Sequence, residues 1–172
     1  MKNFVAGFMF WPAVLMNKVV LVRKLRPDWQ AGRLNAVGGH IEGRETPAEA
    51  MSREYHEETG VLYPPEKWRQ FADLLCPNGD RVYFFAAASE AAYAARTTTD
   101  EEILLIDVAS VEDERDCEQF WPRGNDEKEI STGGSSSAGA MPMYNLPWLV
   151  RMAIEALRTG YHYVVEERRP KS

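Results

Sequence analysis

The sequence predicts an α/β fold built on a mixed β-sheet. Strand-like runs rich in Val, Phe, Tyr and Ile stand both before and after one strongly signalled helix. An Asn-Gly turn joins two of these runs as a hairpin. A second helical pattern follows late in the chain.

Phe4 to Trp11 is apolar and aromatic, as a buried strand is. Val14 to Leu25 is a second strand region centred on Val19–Val22, and Asn17-Lys18 is a candidate tight turn within it. Pro27-Asp28 signals a turn, and Leu34–Val37 a short strand leading into glycines. Trp29 is read as a lid over that glycine loop or a cap on the core. The spacing then predicts a helix over 47–59. Thr46 and Glu49 are three apart, as in a capping box, Pro47 falls at the first helical position, and Gly60 is placed to close the last turn. Tyr63-Pro64-Pro65 breaks structure. Trp68–Cys76 and Arg81–Ala88 read as paired strands around Pro77-Asn78-Gly79-Asp80. Ser89–Ala95 is a helical turn or loop, Ile103–Val108 a strand, and Glu112–Gln119 a loop or short helix. The Gly/Ser-rich run at about 125–140 is read as a flexible loop within a single domain spanning 1–172. Tyr144–Leu157 is the second helix, with Asn145 as N-cap, Pro147 in its first turn and Gly160 past its end. Tyr161–Val165 is an edge strand.

At 172 residues and 45% hydrophobic content, the chain can bury a full core. Its net charge of −6 argues against a general nucleic-acid surface, so no stable nucleic-acid complex is expected. A nucleotide remains compatible, because a bound cation supplies positive charge locally. Cys76 and Cys117 have no metal or redox spacing and read as reduced thiols. The apolar stretch Phe4–Leu15 contains Pro12 and lacks a charged leader and cleavage site, so it reads as strand rather than signal peptide. No apolar run reaches membrane-spanning length, and the cytoplasm is the default location. A homodimer is left open.

The chemistry concentrates between Gly38 and Val61. On the expected helix, Glu54 and Glu58 lie about 40° apart and Glu57 about 60° to the other side of Glu54. Three carboxylates on one face repel, and a hard divalent cation relieves that cost while taking their oxygens as ligands. Arg53 beside them can hold a carboxylate with a fork of hydrogen bonds. The competing reading is a solvated acidic face.

The wider pattern is G-x5-E-x7-R-E-U-x-E-E-x-G-U, with U a bulky apolar residue: Gly39, Glu45, Arg53, Glu54, Tyr55, Glu57, Glu58, Gly60 and Val61. A chance match is below about 10⁻⁸ per start position at background residue frequencies. The stretch resembles the signature of the Nudix hydrolases. Every charged and glycine position matches. Tyr55 replaces the usual aliphatic residue, and Val37 stands where many members carry proline before the glycine pair.

The resemblance implies an α/β/α sandwich, with the signature loop-helix-loop on one side of the sheet and a later helix on the other. It implies hydrolysis of a nucleoside diphosphate linked to another group. Glu54, Glu57 and Glu58 are then expected to bind Mg²⁺ or Mn²⁺ and to carry the catalysis, with the Gly38 carbonyl as a further ligand. Glu45 and Arg53 are expected to pair and orient the glutamates. Some relatives use another glutamate on the loop before a late strand; Glu102 is the candidate and Glu101 the runner-up. His40 and His56 are not needed. For the nucleotide, Arg23, in the basic run with Lys24 and Arg26 just before the glycine loop, is a candidate phosphate contact, and Asn145 and Trp148 are candidates for reading the base. Their competing roles are a strand-end charge, a helix cap and core filling. Substrates expected are (deoxy)nucleoside triphosphates or modified nucleotides, with ADP-ribose, dinucleotide or capped-RNA hydrolysis, or nucleotide sensing, as alternatives.

Overall fold

The structure, a computed structural model, describes residues 1–111 and 145–166. Helix α1 (Pro47–Thr59) forms where local chemistry places it. The Thr46 hydroxyl accepts from the Glu49 N–H at 3.3 Å while the Thr46 N–H donates to Glu49 Oε2 at 2.7 Å, which closes the capping box. Gly60 ends the helix in the left-handed region, φ +72°, its N–H donating to the His56 carbonyl at 2.8 Å.

The strands are β1 (Asn3–Trp11), β2 (Lys18–Arg23), β3 (Leu34–Asn35), β4 (Arg69–Leu75), β5 (Arg81–Ala88), β6 (Glu102–Asp107) and β7 (Tyr163–Glu166). β1 lies parallel to β5 and antiparallel to β2; β4 lies antiparallel to β5 and parallel to β7. β2 also pairs antiparallel with β3 and, along its other edge, with β6. The sheet is therefore mixed, as the sequence predicts.

Strand alternation divides the core into two layers. Val5, Met9, Val20, Val22, Phe85 and Ile103 pack with Met51 and Tyr55 of α1. Phe8, Phe10, Val19, Leu21 and Phe84 pack with Leu149, Val150 and Ala153 of α3 (Leu146–Thr159). The two helices thus cover opposite faces, and the arrangement is a helix–sheet–helix sandwich. Short α2 (Val108–Val111) follows β6. Among the described residues no helix is long and apolar enough to cross a membrane.

Several boundaries differ from the sequence reading. Val14 and Leu15 are exposed and belong to the β1–β2 turn, where the Met16 N–H donates to the Pro12 carbonyl at 2.8 Å; the turn lies before Asn17-Lys18, and the strand starts at Lys18. β6 begins at Glu102 rather than Ile103. Asn145 precedes α3 with helical backbone angles and no capping bond from its side chain. Trp29 is exposed and does not cap the core. The expected elements at 112–119 and 125–140, and the helix start at Tyr144, lie outside the described residues.

Candidate active site

The glycine segment is fastened to β1 before α1 begins. Gly7, Val5 and Ile41 N–H groups donate to the carbonyls of Val37 (2.8 Å), Gly39 (2.9 Å) and Asn3 (3.0 Å). The chain from Val37 to Ile41 therefore continues the edge of β1 that β2 occupies further along. α1 seats on the same strand, because Gly7 leaves room for Met51: a Cβ at residue 7 would lie 2.5 Å from its sulfur. Tyr55 is fully buried at the signature's apolar position and meets Trp68 edge-on, ring centroids 5.1 Å apart.

Gly38 and Gly39 are needed for different reasons. A Cβ on Gly38 would stand 2.1 Å from the Val5 carbonyl oxygen, so backbone would have to move. A Cβ on Gly39 would stand 2.4 to 2.6 Å from the Glu54 carboxylate, which can swing away. Gly38→Ala should therefore cost at least about 1–3 kcal/mol of stability, whereas Gly39→Ala should leave the urea midpoint near wild type and remove most activity. Equal midpoints for both would contradict this assignment.

Arg53 is the hub of the acidic face. It grips Glu45 with two bonds, Nε to Oε2 at 3.1 Å and Nη2 to Oε1 at 2.7 Å. Its Nη1 donates to Glu54 Oε1 at 3.0 Å and to Glu57 Oε2 at 3.2 Å, and Nη2 also reaches the His40 carbonyl at 2.9 Å. The hydrogen bond from Arg53 is the chief reason that the Glu45 carboxyl lies below its ordinary pKa, and the Glu45 bond raises the guanidinium further above its own. The sequence reading paired Glu45 with Arg53, and the structure brings them together.

Glu54 and Glu58 are less exposed than Glu57. Burial pushes the Glu54 carboxyl up against the opposing pull of Arg53. Burial also pushes Glu58 up, to about 7; Lys24 opposes this, while the Glu54 and Glu101 carboxylates add to it. The Gly38 backbone pulls the Glu58 carboxyl slightly back down, yet Glu58 Oε2 is buried without a hydrogen-bond partner among the described residues. Among the described residues no three His, Cys, Asp or Glu side chains converge as a ready metal cage. Arg53 holds Glu54 and Glu57 through one oxygen each.

Strand parity sorts the two candidate glutamates before β6. Ile103 faces α1, so Glu102, one residue earlier, faces the α3 side and pairs with Arg23 at 3.1 Å. Glu101 is buried and stands with Lys24 on the α1 side, within electrostatic reach of Glu58. The geometry thus reverses the order expected from sequence: Glu101, not Glu102, joins the glutamate face. Arg23 is likewise on the α3 side and engaged by Glu102. Asn145 and half-exposed Trp148 begin α3, across the sheet from α1. From the sequence, Lys24 reads with Arg23 and Arg26 as a basic candidate for phosphate contact; its pairing with Glu101 and the role of the His40 carbonyl are not read there. Lys24's place two residues past Val22, just beyond the end of β2, was the available signal; nothing in the sequence marks a carbonyl.

A family model described as the NUDIX domain matches residues 10–130. No curated protein matches the chain. Among solved structures, the fold is similar to an ADP-ribose pyrophosphatase of Streptococcus suis (12% identity, TM-score 0.56, 96% of this chain and 98% of that one). It is also similar to a NUDIX hydrolase of Nitrosomonas europaea (16%, 0.55, 96% and 79%). A third is MutT, from work on Aliivibrio salmonicida and Vibrio cholerae (18%, 0.50, 64% and 81%). At these identities the likeness speaks for the fold.

Proposed function

The chain belongs to the Nudix family and is a Nudix-type pyrophosphohydrolase, and from that premise we propose that it cleaves the diphosphate linkage of a nucleoside diphosphate derivative with the help of Mg²⁺ or Mn²⁺. A (deoxy)nucleoside triphosphate or modified nucleotide is the substrate class we favour. The observation that carries the reading is the complete set of signature glutamates on α1, with the Glu58 carboxylate held in a buried position and one oxygen lacking a donor among the described residues.

The donor set suits a hard cation. Glu54, Glu57 and Glu58 would hold it through carboxylate oxygens, and the Gly38 carbonyl is a candidate beside them. When bound, the ion would supply positive charge against the phosphate oxygens and ease deprotonation of an attacking water. The chain's own residues do the rest. Arg53 and Glu45 fix the direction of the glutamates: three Arg53 hydrogen bonds, to Glu45 and the His40 carbonyl, tie the helix to the preceding loop, and two more hold Glu54 and Glu57. Glu101, buried and within electrostatic reach of Glu58, is the residue we assign to accept the proton of the water. Arg23 and Trp148 are left as candidates for the distal part of the nucleotide.

The test is a panel of nucleoside triphosphates, modified nucleotides, ADP-ribose and dinucleotides incubated with the protein and Mg²⁺, with products identified by ³¹P NMR. Release of phosphate or pyrophosphate from a triphosphate is the expected result. Turnover of ADP-ribose alone would move the substrate class. Binding that shifts the melting temperature without consumption of any compound would instead support nucleotide sensing.

A further inference from the structure

We propose that Lys24 is a positioning residue: it holds the Glu101 carboxylate toward the glutamate face of α1, and it acts on turnover through Glu101 rather than on the substrate. The inference rests on the pyrophosphohydrolase reading above.

The Lys24 ammonium donates to Glu101 Oε2, and the other carboxylate oxygen accepts the Leu25 N–H at 2.9 Å. Both oxygens are thus tied to the same two consecutive residues, just beyond β2. The pair is enclosed: the Lys24 and Glu101 side chains are 19% and 10% exposed. The neighbouring pairs are open by comparison, Arg23–Glu102 at 38% and 51% and Arg26–Asp100 at 73% and 59%. Exposed ion pairs contribute little, whereas an enclosed charge needs its partner. Direction follows from the sheet. Val22 and Ile103 lie opposite each other and both face α1, so the adjoining Lys24 and Glu101 extend the pairing on that side, where both act on Glu58. Of the three ion pairs at and just beyond this end of the β2–β6 pairing, one therefore reaches the site.

The arrangement also limits what Lys24 can do. A lysine free to meet a phosphate would present its ammonium to solvent. Here the ammonium is committed to Glu101 and the stem is covered.

The experiment is a double-mutant cycle on the full-length protein with Mg²⁺ and the best nucleotide of the panel: Lys24→Met, Lys24→Arg, Glu101→Gln and Lys24→Met/Glu101→Gln. The double variant removes both charges, so it is expected to fold even where Lys24→Met alone is unstable. Glu101→Gln should lower kcat by about a hundredfold or more, as expected for loss of a proton acceptor. Lys24→Met should lower kcat by at least about tenfold with KM nearly unchanged, Lys24→Arg should restore most of it, and Lys24→Met should cost nothing further in the Glu101→Gln background. Independently of activity, hydrogen exchange at the Leu25 amide should accelerate in Lys24→Met and return toward wild type in Lys24→Arg. An equal loss from Lys24→Met in both backgrounds, a KM effect with kcat intact, or an unchanged Leu25 amide would overturn the proposal. No turnover by the wild type on any diphosphate compound would sink the activity itself, while the Leu25 measurement would still decide whether Lys24 holds Glu101.

Discussion

Glu58→Gln is expected to cut kcat by about two to three orders of magnitude and, at the same time, to stabilise the metal-free fold at neutral pH by about 2 kcal/mol. Both effects come from one buried charge. Burial raises Glu58 to about 7, so the folded protein retains a proton that the unfolded chain gives up in the ordinary carboxylate range. Between that range and about 7 the native state binds more protons, and stability falls as pH rises. Below it, both states are protonated and the penalty is absent. The amide carries no charge to desolvate. Urea unfolding in EDTA at about pH 5 and about pH 8 should therefore show the variant's advantage growing toward the alkaline side. A variant equally or less stable at both values would show that Glu58 is not a strained carboxylate. On the proposed reading catalysis uses the ionised form, so the fold would give up stability for function at this position.

Arg53→Ala should cost about 2–3 kcal/mol at neutral pH, since hydrogen bonds between ionised groups are the strong ones and this guanidinium makes several. It also leaves Glu45, Glu54 and Glu57 facing each other without a cation. The pH dependence runs opposite to that of Glu58. Glu45 is held below its ordinary pKa by Arg53, so its contribution is present above the ordinary value and is lost as pH falls through the depressed one. Wild-type and Arg53→Ala stability curves should accordingly converge in acid and separate toward neutrality. Arg53→Lys should recover only part of the difference, because an ammonium cannot reproduce the two-pronged grip on Glu45. Curves that stay parallel across the whole range would place the stabilisation elsewhere.

What the sequence disclosed follows from how local the governing physics is. α1 runs from Pro47 to Thr59 as predicted because Thr46, Glu49, Pro47 and Gly60 each act within one turn of it. β5 matches Arg81–Ala88 for a similar reason: the Asn78-Gly79 turn fixes where the return strand starts. The family signature was legible because its residues sit close together in the chain. Parity at β6 was not. Ile103, Leu104, Leu105 and Ile106 are all apolar, so both faces of the strand read alike and the side taken by Glu101 or Glu102 had no marker. The attachment of Val37–Ile41 to β1 was likewise invisible, since it is made by backbone groups of residues far apart in the chain. Asn145 does stand at the N-cap position of α3, as its residue type and Pro147 in the first turn predict, but its helical backbone goes with a side chain that makes no capping bond.

The account turns on whether the acidic face of α1 takes up a divalent ion. Titration of Mn²⁺ into the protein, with free ion followed by electron paramagnetic resonance, measures this without any substrate. Wild type should deplete the free signal in a saturable way, and Glu54→Gln/Glu57→Gln/Glu58→Gln, folded by circular dichroism, should lose that binding. Superimposable curves for the two proteins would contradict the account.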